Sequence, residues 1–211
     1  SILSARGGDG SYGRHHQNHH WRQYNHAGGG GGRMLLEIGA AANNNVVSPI
    51  IRINGGAKGT SYSGASDGHG GSFVLQGTKN KTINFQIRSE SKFKNMASFD
   101  LLNVHTFTIL ESASLNLATV TKLSQLVLVK MEKNSNIDSV STTGSVEIET
   151  DKIITGANCI VKAQSIKVLS RNAEIGSGTF VHADSWSKGT VTIVANNSLT
   201  LEKNARISAD T

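Results

Sequence analysis

The residues best equipped for chemistry stand together near the start of the chain, in "GRHHQNHHWRQYNHA" from Gly13 to Ala27. Five of the chain's 8 histidines fall there, beside Trp21, Tyr24 and two arginines. Imidazole nitrogens suit Zn, Cu and Ni, which makes His15, His16, His19 and His20 candidate metal ligands. A selective metal site also needs fixed geometry, and this stretch has Gly on both sides and no Cys or carboxylate nearer than Asp9. The aromatic side chains offer a second chemistry. Tyr12, Trp21, Tyr24 and His26 form a candidate binding loop that could meet a sugar ring or a partner surface.

Other groups are weaker. "GGDGSYG" from Gly7 is similar to a Ca²⁺-binding Gly-Gly-x-Gly-x-Asp nonapeptide, but its Asp is misplaced and the motif does not recur in tandem. Glu147 and Glu149 are two residues apart on an alternating stretch, hence on one face at roughly 6.6 Å, a separation used by inverting glycosidases. Alternating Glu and Lys outside a strand is more commonly a solvated face, so no enzyme is expected. Cys159 is the only cysteine, which excludes an internal disulfide and a cysteine-built metal quartet. Asn80 and Asn196 open N-glycosylation triplets. No cofactor is expected.

The elements that would carry these residues follow from composition and repetition. The 211 residues include 23 Gly and 1 Pro, and only 17% are charged, which disfavours long salt-bridged helices and points to an all-β chain. The net charge of +6 comes from dispersed Lys and Arg, a pattern that favours solubility over a phosphate-tracking stripe, and nucleic acid is not an expected partner. No apolar run approaches the ~18 residues of a membrane-spanning helix.

Self-similarity is pronounced. "LTLEKNARI" from Leu199 matches "VKMEKNSNI" from Val129 at every apolar position and at Glu-Lys-Asn. A relaxed pattern recovers "FQIRSESKF" from Phe85, "FTILESASL" from Phe107 and "IITGANCIV" from Ile153, so that with Val129 the starts are 22, 22 and 24 residues apart. "IKVLSRNAEI" from Ile166 fits with one inserted residue. Alternation in "SVEIET" and "GTVTIVA" marks half-buried strands. Several short strands in about 22 residues, separated by Asn, Ser and Gly, predict one coil of a parallel β-helix.

Within each coil, Asn134, Asn158 and Asn204 recur at one place and are expected as structural turn residues. Val146, Ile148, Ile153, Val161, Leu199, Leu201 and Ile207 are expected to point inward in aliphatic columns, with Cys159 in the small slot held elsewhere by Ala113 and Ala205. In the first third, "ILSARGG" from Ile2 matches "IIRINGG" from Ile50, and "GGRMLLE" from Gly31 matches "GGSFVLQ" from Gly70. Gly-rich loops, residues 9–30 and 57–69, lie between the paired halves. The second loop has His69 alone in place of five histidines, so the cluster reads as decoration of one exposed insertion.

Alternation of "x-I-x-A-x-G-G" with long Gly/Ser/Asn loops resembles the large extracellular β-helix proteins of protist, algal and bacterial surfaces. The compact repeats resemble those of filamentous-haemagglutinin-type and autotransporter adhesins. The expected fold is thus a right-handed parallel β-helix, a solenoid of about 22 residues per coil with Gly-rich loop insertions. Residues 1–211 are expected to form one segment of a longer chain, with two loop-bearing repeats in 1–81 and compact rungs in 82–211. The resemblance implies an extracellular or cell-surface location and a structural or adhesive rod. Its partners would be other copies or flanking domains of the same protein, and surface glycans. The alternative is a polysaccharide-binding or polysaccharide-degrading β-helix.

Overall fold

The computed structural model describes residues 2–6, 12–17, 20–25, 32–38, 45–54, 71–77, 83–93, 96–117, 121–139, 144–184 and 189–209. Among them the structure is all-β, with parallel strands in stacked sheets and no helix, and so none long and apolar enough to cross a membrane. The arrangement is consistent with a parallel β solenoid.

The strands of the first part are β1 (Ile2–Arg6), β2 (Tyr12–Gln17), β3 (His20–Asn25), β4 (Arg33–Ile38), β5 (Asn45–Val47), β6 (Ile50–Asn54) and β7 (Ser72–Gly77). Next come β8 (Ile83–Ile87), β9 (Lys92–Phe93), β10 (Ser98–Leu102), β11 (Thr106–Ile109), β12 (Ser114–Leu117), β13 (Thr121–Met131) and β14 (Asn136–Ser139). The remainder are β15 (Ser145–Thr155), β16 (Ile160–Ala163), β17 (Ser165–Ile175), β18 (Phe180–Ala183), β19 (Thr190–Leu201) and β20 (Arg206–Ala209). One sheet holds seven strands in the order β19-β17-β15-β13-β11-β8-β5, and a second holds five, β12-β14-β16-β18-β20. Two three-stranded sheets, β1-β6-β9 and β10-β7-β4, belong to the first half.

Period-two patterning makes these strands. In β15 Val146, Ile148 and Thr150 are buried, and their neighbours face out. The alternation then slips, so that Ile153 and Thr155 resume the inward face after two consecutive outward residues. That slip bends the long strand and lets one strand serve two sides of the core. Register stacks like on like: Phe85 pairs with Phe107, Phe107 with Val129, Val129 with Ile153, Ile153 with Ala173 and Ala173 with Leu199. Ile2 pairs with Ile50 and Arg33 with Ser72, the same correspondences as in the aligned first-third segments.

Three expectations are corrected. In "IKVLSRNAEI" the residue level with Ile153 is Ala173, not Ile166, which pairs instead with Val146. Ala173 is small enough to escape an apolar pattern, yet it is fully buried. Leu199, Leu201 and Ile207 occupy the inward columns but are 47%, 50% and 38% exposed, because they lie in the outermost strands of their sheets. The core is also more aromatic than the aliphatic columns foresaw. Phe73, Phe85, Phe93, Phe99 and Phe107 are buried together, with Phe73 and Phe99 ring centroids 5.4 Å apart.

The turn after each inward pair is built from backbone. Asn134, Asn158 and Asn204 have φ of 59°, 55° and 62°, and Ser112 and Gly178 take the same place with 59° and 66°. This left-handed region costs most side chains about 1–2 kcal/mol and is visited chiefly by Gly and Asn. The same residues link successive levels through their N–H groups. Ser112 donates to the Lys133 carbonyl, Asn134 to Ala157, Asn158 to Ser177 and Gly178 to Lys203, all at 2.8–3.1 Å.

Candidate functional site

The histidine-rich stretch is not a plain loop. Its backbone forms an antiparallel hairpin of β2 and β3, in which His15 pairs with Arg22, His16 with Trp21, Gln17 with His20, Gly13 with Tyr24 and Tyr12 with Asn25. Polar residues at nearly every position hide the period-two signature that announces the other strands. His19 and His26 lie outside the described residues, as do Asp9, His69 and Asn80. Among the described residues no group of three or more His, Cys, Asp or Glu side chains is placed to hold a metal ion.

Glu147 and Glu149 face out from β15. The Lys167 ammonium donates to Glu147 Oε1 at 3.2 Å and the Lys122 ammonium at 3.4 Å, while Lys122 lies 3.7 Å from Glu149 Oε2. The three residues 122, 147 and 167 are consecutive in register, one per strand. The hydrogen bond from Lys167 holds the Glu147 carboxyl below its ordinary range. A general acid needs the opposite shift, so this pair makes an ion ladder.

The outer face of the five-stranded sheet carries a cluster that motif reading missed. Asp138 pairs in register with Lys162, whose ammonium lies 2.6 Å from Asp184 Oδ2. Burial, chiefly, raises the Asp138 carboxyl above its ordinary value, whereas the hydrogen bond from Lys162 lowers that of Asp184. Beside them His182 Nδ1 lies 2.8 Å from Ser208 Oγ, and its ring stacks on Phe180 with centroids 4.8 Å apart. The residue types are those of a nucleophile–base–acid set. Around them, however, the Phe180, Asp184 and Arg206 N–H groups donate to Cys159, Ala163 and Thr179 carbonyls, which leaves these donors engaged and not free to cradle an oxyanion. Only the pairing of residues 138, 162, 182 and 208 across 20–26 residues of chain could have signalled this cluster.

A groove of about 430 Å³ runs across the bend of β13, β15, β17 and β19. Gln125, Glu149, Asp151, Arg171 and Asn196 supply its polar lining, and Leu126, Leu169 and Val194 its apolar part. Two irregularities shape it. β13 has one residue more than β15 between Leu123 and Leu126, and β19 one more than β17 between Ala195 and Ser198. At the first of these Gln125 adopts φ 63°. Such bulges re-aim side chains and end regular pairing. Asn196, the second glycosylation candidate, is exposed and lines this groove, and Ser198 of its triplet donates to Asn172 Oδ1 at 2.9 Å.

Cys159 is a fully buried free thiol whose Sγ contacts the Glu132 carbonyl at 3.0 Å. It belongs to a corner column with Ser91, Ala113, Ser135 and Thr179, all buried small residues.

These features define an all-β protein of stacked parallel sheets with a hairpin outgrowth and a grooved bend. Comparison with family models, with curated proteins and with solved structures finds no match.

Proposed function

We propose that this chain is a segment of an extracellular or cell-surface rod, a right-handed parallel β-helix resembling adhesin-type β-helices. The observation that supports this best is the run of seven parallel strands in one sheet beside five in another, with apolar residues in register from level to level. The mechanism is passive. Stacked levels give length and stiffness, the Gly-rich insertions give contact surface, and the ends give assembly with another copy or a flanking segment. The exposed inward column of Leu199, Leu201 and Ile207 suits that last role, since uncovered strand edges with apolar residues invite pairing.

Small-angle scattering and light scattering on the purified chain test the reading. An elongated particle whose mass rises with concentration, and falls back to monomer for Leu201→Lys, is expected. A compact particle that stays monomeric at every concentration would sink it.

A second reading, a polysaccharide-binding surface, is favoured by the groove across the bend.

A further inference from the structure

We propose that the bend groove is a binding site for a neutral, hydroxyl-rich oligosaccharide lying along the stacking direction. The inference rests on the second reading above and assigns it a place. Several independent observations converge on this one position along the strands. The groove's volume, about 430 Å³, falls in the range of about 300–1,000 Å³ typical of ligand sites. Gln125 is held at φ 63°, a backbone state that costs energy for a side chain of its kind and concentrates at binding sites. A second extra residue, in β19 between Ala195 and Ser198, falls beside the same groove.

The lining selects the ligand class. Sugars present hydroxyls that both donate and accept, together with apolar C–H faces. Glu149 and Asp151 accept, Arg171 donates, and the Gln125 and Asn196 amides do both. Leu169 and Val194 offer apolar surface, Val194 being 42% exposed. Successive strands are about 4.8 Å apart, near the length of one sugar ring, so equivalent groups recur once per ring. An anionic chain would meet two carboxylates and an Arg171 already 3.4 Å from Asp151. A peptide adding as a strand has no edge to join at β15 or β17, which each pair on both sides; beside the groove β19 has a free edge.

Titration calorimetry on bacterially made protein, with Asn196 unglycosylated, tests the site using xylohexaose, cellohexaose and maltohexaose. Trigalacturonate and an extended hexapeptide are the comparison probes. At least one neutral hexamer should bind, and Val194→Trp, an exposed position that tolerates bulk, should weaken it roughly tenfold or more. Arg171→Ala, which removes an exposed donor of the lining, should weaken binding several-fold with little change in the thermal midpoint, since its exposed ion pair with Asp151 contributes little to stability. If no neutral hexamer binds, the polysaccharide reading itself falls. Binding that ignores both substitutions would remove the groove and leave the reading. Preference for trigalacturonate or the peptide, lost in Val194→Trp, would overturn the ligand class.

Discussion

Phe85 and Phe107 occupy the same register position in neighbouring strands and stack with ring centroids 5.9 Å apart and planes 13° from parallel. Both are fully buried, and Phe73 and Phe99 close the group from the adjoining sheet. Phe85→Ala should therefore cost about 3–5 kcal/mol, whereas Phe85→Leu should cost markedly less. Urea denaturation followed by circular dichroism measures both, and equal effects would contradict the stack as a packing unit.

Left-handed turn positions differ in how well their residues fit. Ser112 holds φ 59° without the local hydrogen bonding that suits Asn to that region, so Ser112→Asn should raise stability by a few tenths of a kcal/mol. Asn134→Ala should lower it by about 1 kcal/mol. Gly178→Ala should cost at least as much, because Gly adopts φ 66° without the penalty a Cβ brings there. Thermal midpoints in that order verify the assignment, and a neutral Gly178→Ala would refute it.

Together with Thr155, whose hydroxyl lies 3.5 Å away, Thr179 closes a corner. Its hydroxyl donates to the Gly156 carbonyl at 2.8 Å and accepts from the Cys159 N–H at 3.2 Å. Thr179→Val keeps the shape but leaves two buried backbone groups unpaired, so a loss of about 2–4 kcal/mol is expected. Equilibrium unfolding reads the loss, and a change under half a kcal/mol would show that water replaces the hydroxyl.

Asp138 and Asp184 should titrate stability in opposite directions. Burial raises the Asp138 carboxyl above its usual 3.8, against the pull of Lys162 and with a smaller push from Asp184. Its contribution is full below the usual value and is lost as pH rises through the folded value. The Lys162 hydrogen bond lowers Asp184, whose contribution is present above its usual 3.8 and is lost as pH falls through the folded value. Asp138→Asn should thus stabilise at neutral pH, with the gain fading toward pH 3.8. Asp184→Asn should destabilise at neutral pH, with the loss vanishing on acidification. Melting midpoints across that range decide, and parallel pH profiles for the two variants would refute the assignment.

Strand content and stacking were legible because Val146, Ile148 and Ile153 alternate with polar neighbours, and because Asn recurs at the left-handed turns of residues 134, 158 and 204. Ser112 and Gly178 fill the same turn without sharing a residue type, so only the dihedrals identify them. Ala173 was invisible to an apolar pattern because its slot faces bulky neighbours and needs little volume. The hairpin of β2 and β3 escaped notice because its sequence is polar at nearly every position and carries no period. The groove was least legible of all. It arises from single extra residues at Gln125 and near Asn196, and it joins groups from four successive strands that share nothing but their position along the strand.

The N–H bonds that carry Ser112 to Lys133, Asn134 to Ala157, Asn158 to Ser177 and Gly178 to Lys203 have a mechanical meaning. They point along the stack, as the strand ladders do, so a pull along that direction loads each level's bonds side by side and the levels one after another. Links in series share the same tension. Lengthening such a stack adds reach and compliance but no tensile strength, and the load at failure is set by whichever single level holds the fewest sound bonds.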